Sequence, residues 1–149
     1  MNNSRVAIDR STATMNSIVG RLARHGVSLL GSRQLAVRGR ASGEWRTTPV
    51  NPLTLDGDRY LVAPRGETQW VKNMRVAGGG ELRLGRSTEA FRASELDDTD
   101  KVPVLREYMR KWRWEVGAFF PGLGVNSEDA TIAAAAASYP VFRIVPAQT

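Results

Sequence analysis

Residues 34–49 read QLAVRGRASGEWRTTP and predict a β-hairpin. Leu35 and Val37 are two residues apart and lie between the polar Gln34 and Arg38, which fits the period of a strand. A loop containing a Ser-Gly pair follows, and a second strand begins at Trp45. Three arginines, Arg38, Arg40 and Arg46, flank this loop, although a turn needs only a glycine. The loop is either a solvated hairpin tip or the binding site of an anion.

The next segments predict two more stretches of strand. The second strand spans residues 45–55, and Pro49 and Pro52 indicate that it is an edge strand that is bulged or bent. The DGD sequence at residues 56–58 predicts a tight hairpin turn. A further strand follows over residues 59–63 and is ended by the next proline.

The middle of the chain predicts a helix followed by a strand pair. Residues 67–77 have helical periodicity, with Trp70 and Met74 on the apolar side. Three consecutive glycines come next and are predicted to end this helix. Residues 81–86 and 89–93 alternate as two strands.

The C-terminal part predicts two helices and a closing strand. The loop of residues 119–125 precedes Ser127, which is predicted to cap a short alanine-rich helix. Residues 139–145 form the closing strand. An earlier amphipathic helix is marked by apolar side chains three or four residues apart, namely Leu105, Tyr108, Met109, Trp112 and Val116.

Together these elements predict an α+β fold with about six mostly antiparallel strands in a barrel-like sheet and flanking helices. Strands and helices do not alternate as βαβ units, which argues against a parallel doubly wound sheet. The chain has 149 residues, which fits a single domain over residues 1–149.

The N-terminal segment, residues 1–30, predicts one amphipathic helix. Met15, Ile18, Val19 and Leu22 follow helical spacing, and a glycine at position 26 ends the pattern. The opposite face is basic. Two interpretations are open: a helix packed on the core with a solvated basic face, or a helix in contact with an anionic membrane surface.

Composition excludes several classes of function. The chain has no cysteine and one histidine, His25, so thiol catalysis, a cysteine-ligated metal and a multi-histidine zinc site are excluded. No run of residues is long and apolar enough for a membrane span, and no secretion signal is evident, so we expect a cytoplasmic protein, with membrane association left open. The net charge of +6, carried mostly by arginine, indicates an anionic partner. Nucleic acid, a membrane surface and an anionic cofactor all fit this charge.

Residues 63–70, APRGETQW, contain a second candidate site. A strand ends, a glycine-containing turn follows and a helix begins, so free N–H groups at the helix start can bind carbonyl oxygens or anions. Trp70 either flanks a flat ring or fills the core.

These motifs resemble the deazaflavin-dependent nitroreductases and quinone reductases, an actinobacterial family of split-barrel proteins that use coenzyme F420. GRASGEWRTTPVNPL at residues 39–53 is similar to the family's first motif. DGDRYLVAPRG at residues 56–66 and WVKNMR at residues 70–75 are similar to the elements that follow. The resemblance covers about residues 33–96 and the closing strand. Ala41 stands where many members carry lysine, and Arg38 or Arg75 could supply that charge.

The resemblance implies a split β-barrel and a cofactor site. Arg40, Ser42 and Arg46 would hold the phosphate and the anionic glutamate tail of F420. Ala63, Arg65 and Gly66 would meet the deazaflavin ring through backbone groups, with Trp70 nearby. The full set of cofactor-binding residues implied in this way is Arg38, Arg40, Ser42, Gly43, Arg46, Thr47, Thr48, Pro49, Ala63, Pro64, Arg65, Gly66, Gln69, Trp70, Asn73 and Arg75.

The resemblance implies a reductase that transfers a hydride from reduced F420 to a small electron-poor acceptor, which is a quinone, an activated alkene or a nitro compound. No metal is expected and no catalytic residue is assigned. An FMN-binding split-barrel enzyme and an F420 carrier are alternatives within the fold. A basic nucleic-acid-binding barrel is the alternative from a different class, but it is not expected because few aromatic residues lie near the basic hairpin. A monomer and a homodimer are both open.

Overall fold

The computed structural model describes residues 31–147, apart from the side chains of residues 113–116. This part of the chain forms seven strands and three helices. The strands are β1 (Arg33–Arg38), β2 (Trp45–Val50), β3 (Leu53–Leu55), β4 (Asp58–Val62), β5 (Gly79–Leu84), β6 (Ser87–Glu95) and β7 (Val141–Pro146). The helices are α1 (Gln69–Ala77), α2 (Lys101–Val116) and α3 (Asp129–Ala135). Short 3-10 turns over Gly117–Phe119 and Ala136–Ser138 follow α2 and α3.

The strands form one curled antiparallel sheet in the order β2-β1-β5-β6-β7-β4-β3. β2 and β3 occupy opposite edges of this sheet, yet only Asn51 and Pro52 separate them in the chain. So short a connection spans at most about 11 Å, so the two edges must lie close together and the sheet curls into an open barrel. The predicted α+β fold with a barrel-like sheet is confirmed, with seven strands in place of about six.

The predicted strand of residues 45–55 is two strands. β2 ends at Val50, and β3 begins at Leu53, directly after Pro52. β2 pairs only with β1, while β3 pairs only with β4, so both are edge strands as the prolines predicted. The turn between β3 and β4 is confirmed: Asp56 and Gly57 have φ angles of 51° and 84°, as a two-residue hairpin turn requires.

The three glycines after α1 have different tasks. Gly78 ends the helix in the left-handed conformation, with φ 71°. Gly79 and Gly80 already belong to β5, so the prediction that all three end the helix is wrong. A Cβ on Gly79 would lie 2.3 Å from the carbonyl oxygen of Phe91, and one on Gly80 would lie 2.4 Å from that of Ala36. Close packing against the neighbouring strands therefore excludes any side chain there.

Two hydrophobic clusters hold the helices on the sheet. α1 contributes Val71 and Met74 to one cluster, which includes Leu35, Phe91 and Phe142 from the sheet. Since α1 contacts β1, β2 and β5, its first turn comes to lie beside the loop of the β1–β2 hairpin. A second cluster surrounds α2 and α3, and its buried members include the predicted Leu105, Tyr108, Met109 and Trp112.

The C-terminal elements differ from prediction in several details, and the first is that β7 begins at Val141 and not at residue 139. α2 is kinked at Trp112, where φ is −127° and ψ is 23°. Glu128, and not Ser127, occupies the N-cap position of α3. The Ser127 hydroxyl instead accepts a hydrogen bond from the Gly124 N–H at 2.9 Å, so the predicted cap is wrong because this oxygen is used by the preceding loop.

The predicted helix that starts near Met15 lies outside the described residues. Among the residues that are described, none of the helices has the length and apolar character to cross a membrane.

Candidate functional site

A cavity of about 620 Å³ opens between the β1–β2 hairpin, the first turn of α1 and the loop that joins β4 to α1. Arginine, hydroxyl and amide side chains provide most of its polar surface, and proline, tryptophan and valine provide its apolar surface. The lining residues are Val37, Gly39, Arg40, Ala41, Ser42, Arg46, Thr47, Thr48, Pro49, Pro64, Arg65, Thr68, Gln69, Trp70 and Asn73.

The loop of the β1–β2 hairpin is closed by its own backbone. The Gly39 N–H donates to the Glu44 carbonyl oxygen at 2.7 Å, and the Gly43 N–H donates to the Gly39 carbonyl oxygen at 2.8 Å. A Cβ on Gly39 would lie 2.9 Å from Ser42 Oγ and 3.5 Å from Arg46 Cγ. The absent side chain at position 39 therefore lets Ser42 and Arg46 approach the Gly39 backbone closely.

Arg40 joins this loop to α1. Its backbone N–H and its Nη1 both donate to Asn73 Oδ1, at 3.1 and 2.8 Å. Its Nη2 donates to Gln69 Oε1 at 2.9 Å. Asn73 is only 4% exposed, so a buried amide fixes the arginine on the wall of the cavity.

Two further arginines line the cavity with few internal contacts. The Arg46 side chain is 62% exposed, and its one ion pair, with Glu44, spans 3.9 Å. The Arg65 side chain is exposed and makes no hydrogen bond or ion pair with any described residue. Neither guanidinium is neutralised by a close carboxylate within the part of the chain that is described, so both can attract an anion.

Thr68 stands directly before α1, at its N-cap position, and lines the same cavity. Its Oγ1 is buried and finds no hydrogen-bond partner among the described residues, nor does it cap the helix. A buried hydroxyl without a partner costs free energy, which a ligand oxygen or N–H could recover.

Trp70 combines the two roles that the sequence left open. Its ring packs against Phe142 of the core, with centroids 5.8 Å apart, and it also lines the cavity. The ring is half-buried, so one side supports the core and the other offers a flat apolar surface.

The structure brings most of the residues predicted for the cofactor site to this cavity. Eleven of them line it, and five do not. The lining residues among them are Arg40, Ser42, Arg46, Thr47, Thr48, Pro49, Pro64, Arg65, Gln69, Trp70 and Asn73. Those outside the lining are Arg38, Gly43, Ala63, Gly66 and Arg75.

Arg38 lies away from the cavity because β1 ends there. Its guanidinium stacks on the ring of Trp45 at 4.0 Å and donates to the Gly43 carbonyl oxygen at 3.1 Å. Strand alternation would have put Arg38 and Arg40 on one side only if the strand had continued, and the turn at Gly39 interrupts it.

Arg75 is bound by two carboxylates. It donates to Glu95 through Nε and Nη2, at 2.9 and 2.8 Å, and to Glu67 through Nη1 at 2.8 Å. The hydrogen bonds to Glu95 and then Glu67 raise the pKa of Arg75 further above its ordinary value. With its charge compensated, Arg75 connects α1, β6 and the loop before α1.

Ala63 and Gly66 use their backbone groups internally. The Ala63 N–H donates to Pro140 O at 2.9 Å, and its carbonyl oxygen accepts from the Gly66 N–H at 3.1 Å. The Gly66 carbonyl oxygen accepts from the Thr68 N–H at 2.9 Å. These bonds shape the loop that presents Pro64 and Arg65 to the cavity.

Sequence reasoning missed four lining residues: Val37, Gly39, Ala41 and Thr68. Gly39 and Ala41 alternate along the hairpin loop with predicted cofactor-binding residues, so their position in the sequence could have indicated that they line the cavity. Thr68 precedes a predicted helix and is a residue type that prefers the N-cap, which was a second such signal. Val37 could not be distinguished from an ordinary core residue of β1.

The cavity lining contains no carboxylate, tyrosine, lysine or histidine among the described residues. Tyr108 lies in the core cluster around α2, and burial raises its pKa above the ordinary value. Tyr139 donates to the Phe119 carbonyl oxygen at 2.8 Å, and burial raises its pKa as well. The side chains that the structure describes also include no group that could bind a metal ion.

Fold and cavity together define an α+β split-barrel protein with a strongly cationic site. A family model described as F420H2-dependent quinone reductase matches residues 4–115. The chain belongs to this family, so it is an oxidoreductase whose cofactor is F420. This confirms the family that the motifs of the hairpin and of the residue 63–70 segment resemble.

Solved structures agree in fold. An F420-H2 dependent reductase, FDR-A, aligns with a TM-score of 0.53 and 16% identity over 78% of this chain and 95% of that chain. A protein of unknown function from Agrobacterium tumefaciens aligns with a TM-score of 0.54 and 20% identity over 87% of this chain and 54% of that one. An FAD-binding protein from Mesorhizobium loti aligns with a TM-score of 0.52 and 15% identity over 85% and 88% of the two chains. Among curated proteins, none matches.

Proposed function

We propose that this protein transfers a hydride from reduced F420 to a small electron-poor acceptor, which is a quinone, an activated alkene or a nitro compound, and that the cavity is its cofactor site. The observation that carries the proposal is the cavity lining: Arg40, Arg46 and Arg65 contribute positive charge, and the described lining contains no carboxylate. Such a surface fits the phosphate and glutamate tail of F420.

The residues present fit this cofactor on chemical grounds. Ser42, Thr47 and Thr48 line the same cavity as the arginines, and hydroxyl groups are further donors for phosphate oxygens. The buried Thr68 Oγ1 lacks a partner among the described residues, as a position completed by a ligand would. Trp70 and Pro64 offer a flat apolar surface for a ring.

Bound reduced F420 supplies the hydride from C5 of its ring, while the protein binds, orients and excludes water. In this arrangement Arg40 and Arg46 would hold the anionic tail, and Arg65 and Trp70 would meet the ring. We assign no proton donor, because Tyr60, Tyr108 and Tyr139 lie outside the cavity lining.

The test is a titration of purified full-length protein with F420 and with FMN, followed by tryptophan fluorescence, since Trp70 lines the cavity. We expect quenching by F420 at micromolar concentration and little response to FMN. Oxidation of reduced F420 is then measured with a panel of quinones, enones and nitroaromatic compounds. Turnover of at least one acceptor class supports the proposal, and tight F420 binding without any turnover would instead indicate an F420 carrier.

A flavin nucleotide is the second candidate ligand. The arginines can bind the phosphate of FMN as well as that of F420, and a structural neighbour of low identity is an FAD-binding protein. Preferential binding of FMN in the same titration would favour this candidate. Response to neither cofactor, together with salt-dependent binding of oligonucleotides, would favour a nucleic-acid-binding protein and contradict the proposal.

A further inference from the structure

We infer that Gln69 and Asn73 are positioning residues that hold the Arg40 guanidinium with its positive charge uncompensated, and so make the hairpin end of the cavity a preorganised phosphate site. This inference rests on the proposed function and deepens it, because it says how the site recognises the anionic tail. The amide oxygens of Gln69 and Asn73 act on Arg40, and this positioning role does not require them to contact the cofactor.

The geometry places both amides on one face of α1. Gln69 and Asn73 are four residues apart, so their side chains are neighbours on the helix surface. Asn73 Oδ1 accepts from the Arg40 Nη1 at 2.8 Å and from its backbone N–H at 3.1 Å. Gln69 Oε1 accepts from Nη2 at 2.9 Å. The arginine is therefore fixed at both its backbone and its side chain.

The acceptors are neutral, which is unusual in this molecule. Among the described residues, six other arginines donate hydrogen bonds to carboxylates: Arg59, Arg75, Arg83, Arg106, Arg110 and Arg143. A carboxylate would fix Arg40 equally well but would cancel its charge. An amide oxygen fixes the guanidinium and leaves its full charge and its remaining N–H donors for a ligand.

Burial of Asn73 supports the same conclusion. An amide that is 96% buried loses its hydration, and apolar residues would usually fill such a position on α1. Asn73 Oδ1 accepts two hydrogen bonds from Arg40. Holding this arginine therefore explains why a polar side chain occupies the position. Preorganisation of this kind lowers the conformational entropy lost when an anion binds.

The experiment uses two substitutions that keep an oxygen acceptor but add negative charge, Gln69→Glu and Asn73→Asp. Asn126→Asp, in the exposed loop before α3, is the matched control. Dissociation constants are measured for F420 and for its tail-free analogue, which keeps the ring and ribityl chain but has no phosphate. We expect both substitutions to weaken F420 binding by about tenfold or more, since a nearby charge contributes ~1.4 kcal/mol or more at this range. The tail-free analogue and the control should change by less than about twofold.

A merely structural role predicts a different result, because both substituted side chains can still accept the Arg40 hydrogen bonds. Unchanged F420 binding in Gln69→Glu would overturn the inference, and this exposed position keeps the test valid if Asn73→Asp does not fold. Equal losses for F420 and its tail-free analogue would also overturn it.

Inorganic phosphate separates this inference from the proposed function. We expect phosphate to raise the melting temperature of the wild-type protein, and the rise to disappear in Gln69→Glu. That result without any F420 binding would keep the inference and reject the proposed function. If the wild type binds F420 and both variants bind it equally well, the proposed function is kept and the inference is rejected.

Discussion

Arg40 and Arg75 both connect the helix α1 to a neighbouring segment, and they do so in opposite ways: Arg40 reaches α1 from the hairpin loop, whereas Arg75 lies on α1 and reaches outward. Arg40 is held by the amide oxygens of Gln69 and Asn73, so its charge is not compensated. Arg75 is held by the carboxylates of Glu67 and Glu95, so its charge is more than compensated. The same residue type therefore marks a ligand-facing surface in one place and a structural connection in the other. The acceptors around an arginine, and not the arginine alone, indicate which function it has.

The largest expected effect is on cofactor binding when Arg40 is removed. We expect Arg40→Met to raise the F420 dissociation constant by roughly 10- to 150-fold, because a charge-assisted contact contributes ~1.5–3 kcal/mol. Isothermal titration calorimetry measures the change. Arg86→Met, in the exposed turn between β5 and β6, is the matched control and should bind F420 as the wild type does. Equal F420 affinity of Arg40→Met and wild type would contradict the conclusion that Arg40 belongs to a ligand-binding surface.

Arg46→Ala should weaken F420 binding by a smaller amount. Arg46 lines the same cavity, but its side chain is 62% exposed and makes only a 3.9 Å ion pair, so it must be ordered when the ligand binds. We expect a loss of about 1 kcal/mol, which is roughly fivefold in the dissociation constant. The same titration checks this value. A larger loss than that of Arg40→Met would show that preorganisation by α1 is not what makes an arginine effective here.

Arg75→Met tests the structural half of the comparison. We expect the free energy of unfolding to fall by about 1 kcal/mol, and the melting temperature by ~3 °C, because partly exposed ion pairs contribute modestly. F420 affinity should change by less than about twofold. Thermal unfolding and the fluorescence titration measure the two quantities. If F420 binding falls as far as in Arg40→Met while stability is kept, Arg75 has the cofactor role that the family resemblance allowed.

The sequence was enough to predict that arginines of one hairpin are brought together, but not which arginines. The glycine, charge and strand pattern around Arg40 and Arg46 is local, and both line the cavity. Arg38 was wrongly assigned to the same side. The point at which β1 ends and the chain turns depends on the hydrogen bonds of Gly39 with Gly43 and Glu44, which the residue pattern does not indicate. The carboxylates that occupy Arg75 lie on other segments, one of them twenty residues away, so no local pattern indicates them.

The fold shows the same division between local and distant causes. The Asp-Gly turn before β4 was predicted because its φ angles follow from the residue types themselves. Gly79 and Gly80 were assigned to the end of α1, whereas close contacts with Phe91 and Ala36 explain them. Both partners come from strands that are paired only in the folded sheet.

Thr68 offers a smaller test that involves no charge. Its buried hydroxyl has no partner among the described residues, so Thr68→Val, which keeps the shape, should leave the stability of the free protein unchanged or slightly raised. If the cofactor uses this hydroxyl, F420 binding should weaken by about 1 kcal/mol. Thr54→Val, on the edge strand β3, is the control. A loss of stability in Thr68→Val would mean that the hydroxyl is already hydrogen-bonded in the free protein.

The smallest expected effect is the response of the Arg75 connection to acid. Its hydrogen bonds hold the pKa of Glu95 below the ordinary value of 4.5. A carboxyl whose pKa is lowered by folding contributes stability above its unfolded pKa, and this contribution is lost as the pH falls through the folded pKa. The difference in melting temperature between wild type and Arg75→Met should therefore be constant near neutral pH and shrink below about pH 4. The amide acceptors of Arg40 do not titrate, so its hydrogen bonds should keep their contribution over the same range. A difference for Arg75→Met that persists in acid would mean that packing of the arginine's methylene groups, and not its ion pairs, connects α1 to the sheet.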